Sequence, residues 1–195
     1  MSDLRRISYN IKQMKEIINF KLKEFLNQEP ELIQEYIVAL QYLKPIETVK
    51  EVFHLKLKHV EHIKQNLYSN QDSELIKIVA RVQGLKLKEV FEMNIVDFFG
   101  IISSIKVQID TIAKAEDNRL SPTEINFKWE AVEGDEKMSK FGIYNTLENL
   151  SGGDILKYKK IMNLPYSEVF TTLLMKKTAS DLQKQMDKIK TKQDV

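Results

Sequence analysis

Cysteine is absent from this chain, which excludes disulfides, thiolate metal sites and thiol nucleophiles and fits a reducing compartment. Glycine and proline are scarce, six and four residues in 195, so neither a collagen-like nor a linker-rich chain is in view. No apolar run approaches 18 residues, and Met1-Ser2-Asp3-Leu4-Arg5-Arg6 lacks the apolar stretch and small-residue cleavage site of a signal peptide. The expectation is a soluble chain with no signal peptide and no transmembrane segment. A net charge of only +2 does not call for a polyanionic partner. Its distribution is uneven, however: residues 110–137 hold eight acids against four bases, and 154–195 hold nine bases against five acids.

Catalytic signatures are equally sparse. Neither a Gly-x-Ser-x-Gly elbow, a Ser-x-x-Lys set with its partners, nor a phosphate-binding glycine loop occurs. Histidine stands only at 54, 59 and 62, within one predicted helix. Glu51-x-x-His54 is half of a di-iron ligand pattern whose other half is missing, and His59 with His62 lacks a third ligand. Accordingly no catalytic residue, no metal site and no cofactor is expected, and the chain is read as a non-enzyme.

With 43% apolar and 30% charged residues, the composition is that of a folded, helix-rich protein. Leu4, Ile7, Ile11, Met14, Ile18, Leu22 and Phe25 step by threes and fours, predicting a first helix that Pro30 ends. A second helix is predicted over 31–43, halted by Pro45, and a third over 46–68. Asp72 or Ser73 caps a helix through Gln83, Gly84 closes it, and a brief helix runs from Leu85 toward Asn94. Ile95, Phe98, Ile102, Ile105, Ile109 and Ile112 repeat as 3-4-3-4-3, the mark of a central buried helix, with Phe99, Ile101 and Val107 widening the stripe.

Beyond Pro122 the period changes. Ile125, Phe127, Trp129 and Ala131 alternate with Asn126, Lys128 and Glu130, which predicts a strand without an evident partner. Ser151-Gly152-Gly153-Asp154 reads as a turn, followed by a helix to Met162 and another from Pro165. Thr178 with Asp181 suggests the cap of a final helix carrying Leu182, Met186 and Ile189 on one face. The organisation expected is mainly α: a helical bundle of αα-corners, with one short strand-like segment near 124–131. It divides into an N-terminal helical bundle over 1–117, an extended connector over 118–153 and a C-terminal helical hairpin over 154–195.

Glu-Val-Phe recurs at 51–53, 89–91 and 168–170. A shift of 79 lays Ile76, Val79, Val82, Leu85 and Leu87 onto Ile155, Tyr158, Ile161, Leu164 and Tyr166, with Gly84 on Asn163. Both turns are therefore expected to use left-handed backbone. Residues 76–93 also fit the small, turn and apolar positions of a helix-turn-helix, in which Lys86 and Lys88 would face nucleic acid, although Glu89 and Glu92 on the same helix oppose phosphate. The alternating segment is the leading contact surface, with Ile125, Phe127 and Trp129 as partner-binding residues. The competing reading lays that segment on its own helices.

The stretch Met138-Ser139-Lys140-Phe141-Gly142-Ile143-Tyr144-Asn145-Thr146-Leu147, then Leu150-Ser151-Gly152-Gly153-Asp154-Ile155 and Leu164-Pro165-Tyr166-Ser167-Glu168-Val169-Phe170, resembles small helical virion and tail-assembly proteins of tailed bacteriophages. The resemblance spans residues 138–190. It implies a virion component or assembly chaperone that docks to other phage structural proteins or to itself, located in the virion or the host cytoplasm. A helix-turn-helix nucleic-acid binder is the alternative.

Overall fold

Where the backbone N–H groups go explains most of the architecture. The computed structural model describes residues 18–40, 42–69 and 72–193, with side chains to Ile189. The stripe expected at Leu4, Ile7, Ile11 and Met14 lies outside the described residues, as does the C-terminal end expected to fray. The described residues form eleven α-helices joined by turns and two short 3-10 segments. They carry no sheet, only isolated bridges. The mainly α expectation holds.

The described residues fall into two compact units. One comprises the residues up to Val52 together with Ile63–Asp110; the other comprises Phe53–His62 together with the residues from Thr111 onward.

In the first unit, α1 (Leu22–Phe25) is a single turn. Lys21 forms a bridge with Asn94, so the backbone preceding α1 bonds across the unit instead of extending the expected long helix. Pro30 begins α2 (Pro30–Leu40) rather than ending a helix, because a first helical position needs no N–H and suits proline's fixed φ. The expected third helix is absent before residue 57. Ile46 N–H donates to the Gly100 carbonyl at 3.0 Å and Lys50 N–H to that of Val82 at 3.2 Å, while the Gln108 side chain accepts from Val52 N–H at 2.7 Å. Gly100 permits the approach: a Cβ there would lie 2.5 Å from Ile46 Cδ1. A 3-10 turn follows at Val52–His54, and helix α3 occupies Leu57–Asn66, of which the residues up to His62 belong to the second unit.

Helix α4 (Asp72–Gln83) ends as expected at Gly84, whose φ is +70°. There Leu85 N–H returns to the Ala80 carbonyl at 2.8 Å, a closing bond that left-handed glycine allows. Helix α5 is only Leu87–Phe91. Helix α6 (Ile95–Leu120), which passes into the second unit at Thr111, carries the 3-4-3-4-3 series, and all of Ile95, Phe98, Ile102, Ile105, Ile109 and Ile112 are buried. Val107, expected to widen the stripe, is exposed. Burying such aliphatic side chains stabilises the fold by roughly 1.5–3 kcal/mol each.

The second unit contains α7 (Phe127–Ala131), α8 (Gly134–Ser139), α9 (Ile143–Ser151), a 3-10 turn at Ile155–Lys157, α10 (Tyr158–Ile161) and α11 (Tyr166–Gln193). Residues 118–153, expected to be an extended connector, are thus largely helical. The strand-like segment near 124–131 is also corrected, since residues 127–131 form α7. An unpaired strand would leave its amides unsatisfied; here Asn126 Oδ1 accepts from Trp129 N–H at 3.2 Å, and Glu130 N–H reaches the Asn126 carbonyl at 3.0 Å.

Two further expectations fail for local reasons. Asn163 is not left-handed, because among the described residues the one non-glycine with positive φ is Glu133. Instead its side chain donates to the Lys159 carbonyl at 2.7 Å, covering the end of α10. Thr178 caps nothing: α11 runs through it, and its hydroxyl donates back to the Leu174 carbonyl at 2.9 Å. With neither glycine nor proline between Tyr166 and Gln193, nothing interrupts the helix.

Candidate partner-binding surface

The segment that sequence periodicity singled out becomes a pair of short helices with apolar side chains left outside. Ile125 is 65% exposed, Phe127 75% and Trp129 42%. Val132, Met138, Phe141 and Tyr144 are exposed as well, so apolar surface recurs through residues 125–144. The three expected contact residues do not play one role. Ile125 and Phe127 are unburied, whereas Trp129 closes the corner between α7 and α8.

That corner is tight. Gly134 is buried beside the indole, where a Cβ would meet Trp129 Cε2 at 2.1 Å, and Trp129 Nε1–H donates to Asp135 Oδ1 at 2.8 Å. Glu133 takes left-handed backbone, φ 55°, to reverse the chain between the helices. Lys137 ties α8 back to its start by donating to the Val132 carbonyl at 2.8 Å. The corner is therefore closed by its own contacts while Phe127 points no bulk into it. The surrounding charge is nearly balanced: Glu130, Glu133, Asp135 and Glu136 stand beside Lys128, Lys137 and Lys140, and Lys137 pairs with Glu133 at 3.5 Å.

Helix α9 anchors this region through buried Leu147. Near its end, Tyr158 donates its hydroxyl to Glu148, and that carboxylate's hydrogen bond and charge, with partial desolvation, raise the tyrosine pKa. Deeper in the second unit, Phe53 meets Tyr166 and Phe170 edge-on, with ring centres 5.5 and 5.8 Å apart. The Tyr166 hydroxyl donates to Glu116 Oε1 at 2.5 Å. This is a packed aromatic core, and its polar atom is satisfied.

The residues of the nucleic-acid alternative lie in the first unit. Lys86 precedes α5, and its N–H donates to Glu89 Oε2 at 2.6 Å, so Glu89 serves as a capping residue. Lys88 is an exposed residue of α5. Lys50, Lys77, Arg81 and Lys86 line a groove of about 460 Å³ beside Gly84, Leu85 and Leu87. Lys88 is not among its lining residues. Lys77 already pairs with Glu74 at 2.6 Å. At 1.5 Å per residue, five-residue α5 is about 7.5 Å long, which is short for a helix laid along a major groove. Glu92, expected to repel phosphate, is held by Lys21 at 2.7 Å and by Lys23.

Among the described residues, no three histidine, aspartate or glutamate side chains gather into a cation-binding group. Nor is any described helix long and apolar enough to cross a membrane. The sequence reading missed the exposed residues Val132, Met138 and Phe141, because they fall outside the alternating run. It also missed Trp129's structural role, for which Trp129 and Gly134 at i, i+5 around a turn are the one available signal.

Together these features define an all-α chain with an exposed apolar segment. Comparison with protein-family models, with curated proteins and with solved structures finds no match to any of them.

Proposed function

We propose that this chain is a non-enzymatic protein–protein interaction protein whose partner docks on the apolar segment 125–144. The observation that carries the reading is the exposure of Ile125 and Phe127 on a corner already closed by Trp129 and Gly134. Apolar side chains kept outside a completed corner are the raw material of an interface. Following the resemblance of residues 138–190, the partner is another structural protein of a tailed bacteriophage, met in the virion or during its assembly in the host cytoplasm.

Phe127→Lys tests this better than a change at Trp129, which would also open the corner. With purified partner, the expected result is at least a tenfold loss of affinity while helical content stays unchanged. Equal binding by wild type and Phe127→Lys would remove the segment as the docking surface.

The groove lined by Lys50, Lys77, Arg81 and Lys86 favours nucleic-acid binding as the second reading. Phosphate contacts strengthen as salt falls. Fluorescence anisotropy with duplex DNA at low salt decides: no binding there, or binding indifferent to Lys86→Glu, eliminates it.

A further inference from the structure

The first unit holds a cleft walled by three helices and the residue that follows a fourth. Ile33 and Ile37 stand one turn apart on α2, Leu75 lies on α4, Phe99 and Ile102 lie on α6, and Leu67 follows α3. The cleft encloses about 480 Å³, a volume typical of small-molecule sites. A smaller recess shares Ile33, Ile37, Leu75 and Phe99 with it and is backed by buried Leu22, Phe25 and Phe98.

Local packing keeps this space open. The Phe99 ring is held edge-on by Phe25 and Phe98, with centres 6.3 and 5.5 Å apart, which fixes it in the wall. One turn further along α6 stands Ser103, too small to fill the gap, and then half-buried Lys106. Phe99, Ser103 and Lys106 follow one another on a single face of the helix, so that wall runs from an apolar end to a cation.

Charge decides what the cleft suits. Among the described residues its charged lining side chains are Asp72 and Lys106. Asp72 is the first residue of α4, where the helix dipole favours its negative charge. Lys106 sits in mid-helix without that support, and no described carboxylate forms an ion pair with it. Asp110, one turn on, accepts instead from the Tyr68 hydroxyl at 3.3 Å, and the Lys106 ammonium lies 5.8 Å from the centre of the Tyr68 ring. A half-buried ammonium beside apolar walls is stabilised by an anion.

We propose that the cleft binds a small amphipathic anion, a free single-chain monocarboxylate whose apolar body lies along Ile33, Ile37 and Phe99 and whose carboxylate meets Lys106 Nζ. A cationic ligand would meet like charge there, and a neutral one would leave the ammonium without its counter-ion. The site is independent of the segment 125–144, which belongs to the other unit.

Isoleucine-methyl NMR of the full chain, titrated with octanoate and with octanol as the neutral control, tests the proposal. Octanoate is expected to shift the methyls of Ile33, Ile37 and Ile102 saturably while Ile161, in the second unit, stays still. Lys106→Glu should weaken octanoate by at least about tenfold and octanol by less than about twofold. Ser103→Phe, which fills the cleft, should abolish both, with far-UV circular dichroism checking that it folds. Absence of saturable shifts in the wild type, or shifts at Ile161 as large as at the cleft methyls, overturns the proposal. So does a folded Ser103→Phe or a Lys106→Glu variant that binds octanoate as the wild type does, and the second holds even where the first fails to fold.

Discussion

Trp129 rests on Gly134 so closely that a Cβ on the glycine would fall 2.1 Å from the indole Cε2. Gly134 lies at the start of α8 with no left-handed φ, so its requirement is space rather than backbone freedom. Alanine there would gain about 1 kcal/mol in helix propensity, but displacing the indole costs roughly 1–3 kcal/mol and breaks the bond to Asp135. Gly134→Ala is expected to destabilise the second unit by about 1 kcal/mol net and to shift the emission of this chain's single tryptophan to longer wavelength. Phe127→Ala, at an exposed position, should change stability by less than about 0.5 kcal/mol.

Each unit is fastened by the same device. Leu22 N–H donates to the Met93 carbonyl at 2.8 Å and Ile95 N–H to that of Phe20 at 2.9 Å; Leu57 N–H donates to Leu164 at 2.9 Å and Tyr166 N–H to Leu55 at 2.8 Å. Each helix start carries buried apolar residues three apart: Leu22 and Phe25, Ile95 and Phe98, Leu57 and Val60, Tyr166 and Val169. Equivalent positions predict equivalent costs. Leu22→Ala and Leu57→Ala should each destabilise by about 2–5 kcal/mol in urea unfolding, and a negligible effect of either would deny that its clasp matters.

Glu92 predicts an acid-side dependence. Hydrogen bonds from Lys21 and then Lys23, with their charges, lower its pKa from 4.5 to about 2. A carboxylate with a depressed folded pKa adds stability above its unfolded pKa, and that stability is lost as pH falls through the folded one. The window is therefore from about pH 4.5 down to about 2. Glu92→Gln should flatten the stability profile across it. Because the group is exposed, raised salt should shrink the difference between wild type and variant.

Tyr166 predicts the alkaline counterpart. Burial first, then the hydrogen bond and charge of Glu116 and the charge of Glu61, raise its pKa well above the ordinary phenol value. A raised folded pKa means stability present below about pH 10 and lost as pH climbs past it. Tyrosinate absorbance should include one group that ionises only as the second unit unfolds, and Tyr166→Phe should abolish that step. The variant also leaves Glu116 Oε1 without this donor, at a cost of about 1–3 kcal/mol.

Glu-Val-Phe, the most visible repetition in the sequence, proves to be a fragment of the helix-start pattern. Val52, Val90 and Val169 are all buried, yet their settings are a 3-10 turn, a five-residue helix and the first turn of α11. The deeper repeat, apolar residues three apart at clasped helix starts, is obscured because its partners lie far apart in the chain, as Lys21 with Asn94 and Lys56 with Pro165 do. Periodicity reports one element's faces and carries no information about which distant backbone will meet it.

The sequence by itself determined the all-α class, the buried face of α6 and the glycine closure of α4, since helical spacing and left-handed backbone are local properties. Tertiary structure alone decided three other matters. It drew residues 46–52 out of helix by giving their amides distant acceptors. It turned an alternating segment into a helix, because capping by Asn126 and the seat of Trp129 on Gly134 satisfied what a solitary strand could not. It also committed one side of α11 to its own unit and left the other bare, a division that depends on which face the rest of the chain covers first.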